Sequence, residues 1–135
     1  MTSGFLLCSA ITPSPYTRVQ KDKLSESIAR GKTIYVERCM SCHQENGLGI
    51  EGSFPPLAKA DFLTKSLDKA IYAVKFGMEG KVIVNGKEFD NLMPNPGLEN
   101  NEVADVMNYI RNTWGNSSAK KMITTEMIEA VKEKK

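Results

Sequence analysis

The sequence predicts an all-α domain with one small β-hairpin inserted between its helices. Residues 24–39 and 103–114 both carry apolar side chains at helical spacing. Between them, Val82 and Val84 on one face alternate with Lys81 and Ile83, and they are followed by Asn85-Gly86, a dipeptide typical of tight two-residue hairpin turns. The two helical segments are the strongest signals, and they set the fold class.

The first long helix is expected over residues 24–39, with Asp22 or Ser25 as its cap. Glycine inside a helix costs about 1 kcal/mol relative to alanine, and close approach of a second helix is a good reason to tolerate it. Gly31 and Tyr109 therefore predict the crossing of two long helices. The residues that recur at helical spacing are Ile28, Gly31, Tyr35 and Cys39.

The second long helix opens at Glu99 or Asn100 and is closed by Gly115. A shorter helix is expected over residues 66–76, ended by Gly77. The apolar stripe of the second long helix consists of Val103, Val106, Met107, Ile110 and Trp114. Together with the first helix, these elements make residues 23–115 the body of the domain.

The N-terminal residues 1–22 predict an arm or the remnant of a signal peptide. Their apolar run is short and is followed by Pro13 and Pro15, which are expected to break any helix. A basic segment, which a complete secretory signal needs, is not present. Lipid attachment at Cys8 is an alternative, although Leu7 is bulky where an acylation site has a small residue.

The C-terminal residues 116–135 predict a basic amphipathic tail helix, capped by Thr124 or Thr125. An apolar stripe of this kind needs a surface to cover, either its own body or a partner. We expect the tail to serve docking or anchoring rather than the core of the domain. The stripe consists of Ile123, Met127, Ala130 and Val131.

Composition and charge narrow the class of protein. The chain has 135 residues, enough for one domain, and a net charge of +2 from 18 basic and 16 acidic residues. This balance of charges excludes a surface that binds nucleic acid. The whole excess of positive charge lies in the tail. No apolar run approaches the roughly 18–20 residues that span a bilayer. We therefore expect no nucleic-acid partner, and membrane contact only through an N-terminal anchor.

The chemistry of the chain is concentrated in Cys39 and Cys42, which form a C-x-x-C followed directly by His43, the only histidine. C-x-x-C-H is the attachment signal of haem c: two thiols add across the two vinyl groups, and the adjacent imidazole binds iron. A thioredoxin-like redox pair would need a βαβ context, and zinc would need four ligands. Neither requirement is met, so the motif predicts one covalent haem.

Six methionines besides Met1 compete for the second axial position on the iron. Met78 and Met93 both lie in loops downstream of the histidine. Met93 is favoured because Pro94 follows it and stiffens the chain, and Met78 remains the alternative. The other four lie inside the attachment motif, on the second long helix or in the tail: Met40, Met107, Met122 and Met127.

The ordered motifs over residues 24–115 resemble the class I monohaem c-type cytochromes. This resemblance implies a cytochrome c fold of three to five helices around one covalent haem. It also implies that the Pro55 carbonyl orients the proximal His43, that Leu57 packs on the haem, and that Met93 is the distal ligand. The motifs are Gly31-Lys32-x-x-Tyr35-x-x-x-Cys39-x-x-Cys42-His43, Phe54-Pro55-Pro56-Leu57, Leu92-Met93-Pro94 and the helix of residues 103–110.

A closed His/Met iron has no vacant position for substrate, so we expect one-electron transfer and no catalysis. The resemblance implies a periplasmic or otherwise extracytoplasmic protein whose partners are dehydrogenases, reductases or terminal oxidases. One alternative is a cytochrome subunit or domain docked in a larger oxidoreductase, because the hairpin and the closing Trp114-Gly115-Asn116 resemble cytochrome domains attached to dehydrogenases and copper nitrite reductases. A peroxidase-like haem enzyme would need a distal histidine or arginine, and none is evident.

Overall fold

The computed structural model describes residues 4, 9–116 and 121–135 of the chain. Within these residues the chain forms six helices and one two-stranded antiparallel sheet. This architecture confirms the all-α class with a small hairpin. In chain order the elements are α1 (Pro15–Arg38), α2 (Met40–His43), α3 (Phe62–Lys65), α4 (Leu67–Phe76), β1 (Val82–Val84), β2 (Lys87–Phe89), α5 (Asn100–Arg111) and α6 (Thr125–Ala130).

Helices α1 and α5 cross at Gly31. A Cβ atom on Gly31 would collide with the backbone carbonyl of Asp105 and would lie 2.9 Å from the Cβ of Tyr109. The prediction that Gly31 and Tyr109 mark the crossing of the two long helices is therefore confirmed. Next to the crossing, the ring of Tyr35 packs 5.3 Å from that of Tyr109 and 5.1 Å from that of Trp114.

A buried polar cluster also joins α1 to α5. The Asp105 carboxylate accepts hydrogen bonds from Ser27 Oγ at 2.6 Å and from Arg30 Nε at 2.7 Å. Asn108 Nδ2 donates to Ser27 Oγ at 2.9 Å, which extends the cluster one turn along α5. Ser27 and Asn108 are almost fully buried, so their polar atoms depend on these partners.

Helix α1 begins nine residues earlier than the sequence predicted. Pro15 occupies its first turn and Ser14 is the N-cap, so the expectation that Pro15 breaks any helix was wrong. Proline is tolerated at the start of a helix because the N–H it lacks would have no intrahelical partner there. Residues 15–23 are exposed along their whole length, and the first fully buried residue is Ser27.

The shorter elements follow the sequence closely. Helix α4 ends at Phe76 with Gly77 at φ +85°, as expected. Strands β1 and β2 pair around Asn85 and Gly86, whose φ angles of +51° and +77° suit the tight hairpin turn that the dipeptide predicts. Val84 and Phe89 form the buried face of this hairpin.

Helix α5 opens with a capping box between Glu99 and Glu102, which confirms the predicted start. It ends at Arg111 rather than continuing to Gly115, so the predicted end was wrong. Trp114 adopts a left-handed φ of +54°, and its indole Nε1 donates to the carbonyl of Glu45 at 2.9 Å. Trp114 thus lies outside the helix, where it makes a hydrogen bond to a residue distant in sequence.

The C-terminal tail packs against the body. Thr124 caps α6, as expected, by accepting a hydrogen bond from the backbone of Met127. Ile123 and Ile128 are fully buried in the main core, whereas Ala130 of the predicted stripe is exposed. The apolar stripe therefore covers the chain's own body, and the expectation that it serves a partner needs correction.

Lys75 of α4 ties the end of the tail to the body. Its Nζ donates to the carbonyls of Ile128 and Val131, both at 2.9 Å.

No helix in the described part of the chain is long and apolar enough to cross a membrane. The acylation alternative at Cys8 lies outside the described residues.

Candidate haem site

An apolar cavity lies between α2, α4, the hairpin and α5. Five of the six site residues expected from the sequence line it: Cys39, His43, Pro55, Leu57 and Met93. Cys42, the sixth, lies one turn further along α2, partly exposed and not among the lining residues.

The attachment motif sits where one helix stops and a single new turn begins. Cys39 ends α1 with a φ of −124°, and its carbonyl accepts from the backbone of His43 at 3.0 Å. Neither Cys39 nor Cys42 is in a disulfide. Burial, together with the neighbouring Cys42, raises the pKa of the Cys39 thiol to about 11, so this thiol stays protonated near neutral pH.

The imidazole of His43 is oriented by the loop that follows it. His43 is 8% exposed, and its Nδ1 lies 2.9 Å from the carbonyl oxygen of Pro55. With Nδ1–H donating to that carbonyl, the Nε2 lone pair is free for a metal. Burial lowers the pKa of His43 below its ordinary value, and the hydrogen bond to Pro55 opposes this shift only in part. The imidazole is thus held neutral, in the form that binds metals.

Two glycines shape the loop between His43 and Pro55. Gly49 donates to the carbonyl of His43 at 2.9 Å, and a Cβ on it would collide with the carbonyl of Phe54. Gly47 has a φ of +67°, and a Cβ there would lie 2.6 Å from the indole ring of Trp114. The loop can bring Pro55 to the histidine only because these two positions lack side chains.

Met78 and Met93 lie side by side in the wall of the cavity. Each backbone N–H donates to the carbonyl of the other residue, both at 2.8 Å, which forms an isolated antiparallel bridge. Gly77 fits against this bridge, because a Cβ on it would lie 2.7 Å from the Met93 carbonyl oxygen. The two methionines that the sequence left as competitors are thus direct neighbours.

The sequence reasoning missed most of the apolar walls. Met107, which the sequence places on the apolar stripe of the second long helix, is fully buried and also lines the cavity. The signals for the other walls were present, since the α4 residues have helical spacing and the β1 residues alternate. These further lining residues include Ala70, Ala73 and Val74 of α4, Val82 and Val84 of β1, and Ile110 of α5.

The residues present fit haem c. The walls are apolar, as a flat hydrophobic macrocycle requires, and the exceptions to pure hydrocarbon are a thiol, a neutral imidazole and three thioethers. Imidazole and thioether are the axial ligands of cytochromes, and the thiols supply the covalent links. The chain therefore offers attachment groups and candidate ligands at one cavity.

Comparison with known proteins agrees with this chemistry. The family profile described as Cytochrome c matches residues 28–114. Cytochrome c-552 of Thermus thermophilus is 35% identical over 115 residues, which cover 79% of this chain and 87% of that protein. The FixP subunit of a cbb3-type cytochrome c oxidase from Bradyrhizobium diazoefficiens is 30% identical over 118 residues, 79% of this chain and 38% of that subunit.

A third relative is the cytochrome c subunit of a quinone alcohol dehydrogenase from Gluconobacter oxydans, 30% identical over 93 residues that cover 65% of this chain and 19% of that subunit. Proteins of this family carry electrons on covalent haem c, alone or as subunits of oxidoreductases, and are not themselves enzymes. In this chain the two cysteines of the C-x-x-C-H motif are Cys39 and Cys42. The profile match covers both thiols and every lining residue of the cavity, and the chain belongs to the cytochrome c family, as a class I c-type cytochrome domain.

Proposed function

We propose that this protein transfers single electrons between extracytoplasmic redox partners, with His43 and Met93 as the axial ligands of its haem. The observation that carries this proposal is the shared cavity. His43 enters it with Nδ1 hydrogen-bonded to Pro55, and Met93 enters it from a loop fixed by a backbone bridge. The remaining lining is almost entirely apolar, and it offers no charged side chain that could act on a substrate.

When bound, haem would supply an iron that can alternate between the ferrous and ferric states. The protein sets how easily that change occurs. A methionine thioether favours ferrous iron, and burial in apolar walls disfavours the extra charge of the ferric form, so both raise the reduction potential. His43 keeps one tautomer through Pro55, and Met93 is held by the bridge to Met78 and by Pro94. Ligands that hardly move keep the reorganisation energy small.

The relatives support two candidate roles in electron transfer, a free carrier and a subunit of a larger oxidoreductase. The relative that is matched over most of its own length is named only as a cytochrome, which supports a free carrier. The other two are named as subunits of an oxidase and of a dehydrogenase, which supports the second candidate, a cytochrome docked in a larger oxidoreductase. An extracytoplasmic location follows for both, because haem c is attached outside the energy-conserving membrane of bacteria.

The ligand assignment is tested on holoprotein labelled with [methyl-¹³C]methionine. In the reduced state, the methyl group of an axial methionine is shifted strongly upfield by the ring current of the haem. We expect one such resonance in the wild type, unchanged in Met78→Leu and lost from that position in Met93→Leu. If the resonance is instead unchanged in Met93→Leu and lost in Met78→Leu, Met78 is the ligand. If no upfield methyl is found, thioether ligation is wrong.

Isolation of the native protein under mild conditions tests whether it is a free carrier or a docked subunit. A free carrier is expected to elute at the size of the single chain and to exchange electrons with partners in collisions. Co-elution with a flavin-, quinone- or copper-containing oxidoreductase, stable at high salt, would favour the docked subunit.

A further inference from the structure

The bridge between Met78 and Met93 places a second thioether in the haem cavity. In an antiparallel pair, residues directly opposite each other project their side chains to the same side of the ladder. Residues that exchange both backbone hydrogen bonds have Cα atoms about 5.5 Å apart. Met78 and Met93 exchange both bonds, and both residues line the cavity. The two side chains therefore project to the same side from almost the same point of the backbone.

The two methionines are anchored from different sides. Met78 follows Gly77, whose backbone N–H donates to Ala73 at the end of α4. Met93 precedes Pro94, which restricts the loop from the other direction. Loss of the Met93 side chain removes neither the bridge nor the α4 anchor, because both depend on backbone atoms. Met78 would keep its place in the cavity.

Other candidate ligands are less well placed. Lys75, the lysine of α4 closest in sequence to the bridge, is held by the carbonyls of Ile128 and Val131. Met107 is fully buried on α5 and is not part of the bridge. A methionine side chain has three rotatable bonds, so Met78 can adjust its reach within the cavity without movement of its backbone.

We propose that Met78 is a reserve axial ligand, which binds the haem iron when Met93 is removed or displaced. This inference rests on the proposed His43/Met93 ligation. The exchange breaks one iron–sulfur bond and forms another, and it moves no electron and no proton. Its consequence is that the iron keeps a thioether ligand, where a cavity with a single methionine would admit water.

The test uses four holoproteins labelled with [methyl-¹³C]methionine: wild type, Met78→Leu, Met93→Ala and the double variant. Two signals are measured, the upfield ligand methyl of the reduced protein and the weak long-wavelength sulfur-to-iron charge-transfer band of the oxidised protein. Met122→Leu, outside the cavity, is the matched control and is expected to match the wild type. Met93→Leu, which keeps the side-chain volume, serves as a second Met93 variant in both backgrounds.

We expect Met93→Ala to show a ligand methyl at a new position and to keep the charge-transfer band, and the double variant to lose both. If Met93→Ala already lacks both signals, as the double variant does, the reserve role is overturned while the Met93 assignment stands. If Met78→Leu alone removes the wild-type signals, the Met93 assignment fails, and the reserve role fails with it. If the wild type shows neither signal, the proposed thioether ligation itself is wrong.

Discussion

The side-chain amide of Asn108 pairs with the backbone of Ile123 through two hydrogen bonds: Nδ2 donates to the carbonyl at 2.9 Å, and Oδ1 accepts from the N–H at 2.8 Å. Both residues are buried, and the pair joins the middle of α5 to the start of the C-terminal tail. The Asn108 side chain thus satisfies the backbone N–H and carbonyl of Ile123, as the backbone of a neighbouring β-strand would.

Replacing Asn108 is expected to loosen the tail. Asn108→Ala leaves both polar groups of Ile123 buried without these partners, and we expect a loss of about 2–4 kcal/mol in the free energy of unfolding. Chemical denaturation of the holoprotein measures this loss. Asn101→Ala, at an exposed position of the same helix, is the matched control and is expected to change stability by less than about 0.5 kcal/mol. Equal effects of the two substitutions would contradict the role of Asn108.

Gly31→Ala tests the helix crossing. Alanine raises helix propensity by about 1 kcal/mol, so an unobstructed position would become more stable. Because a Cβ would collide with the Asp105 carbonyl, we expect the opposite sign, a loss of about 1–3 kcal/mol. Ser25→Ala on the exposed side of α1 is the control. A thermal midpoint for Gly31→Ala above that of the wild type would show that the helices can move apart without cost.

Gly77→Ala tests the close packing of Gly77 against the backbone bridge between Met78 and Met93. The residue has a φ of +85°, and an added Cβ would lie 2.7 Å from the Met93 carbonyl oxygen and 2.8 Å from the Asn95 nitrogen. We expect a weakened or shifted charge-transfer band and lower thermal stability. Gly80→Ala is a close control, since Gly80 has a φ of +83° with nothing within 4 Å. It carries the same backbone strain, so a similar band shift in both variants would assign the effect to strain alone.

The two attachment thiols are expected to act together. Cys39→Ala or Cys42→Ala leaves one thioether link and a less stable holoprotein, whereas the double variant is expected to be mostly apoprotein. The measurement is denaturation in acidified organic solvent, which leaves covalent haem with the protein and extracts haem that is not covalently bound. Extraction of all haem from wild-type protein matured with a working attachment pathway would contradict covalent attachment.

Local sequence predicted the elements whose signals are local. Gly77 and Asn85-Gly86 marked a helix end and a hairpin turn, and Thr124 marked the cap of the tail helix, because each depends on the φ or side-chain chemistry of one or two residues. The two helix ends predicted wrongly have another cause. Pro15 was interpreted as a breaker although it suits a first turn, and Trp114 leaves α5 for contacts with Glu45 and Gly47 that are distant in sequence.

The sequence by itself determined the chemistry of this protein. Cys39, Cys42 and His43 predict attachment and proximal ligation by their spacing alone, since the thiols and the imidazole must meet one macrocycle. The sequence also reduced six methionines to two. These conclusions need only residue types and short separations along the chain.

The tertiary structure decided which surfaces meet. It brought Met78 to Met93 through a backbone bridge, and it covered the tail's apolar stripe with the body through Asn108 and Lys75. An apolar stripe specifies that a surface must be buried and leaves open which surface covers it, because the hydrophobic effect is not directional. Only the folded arrangement, with its paired hydrogen bonds between residues far apart in the chain, selects the partner.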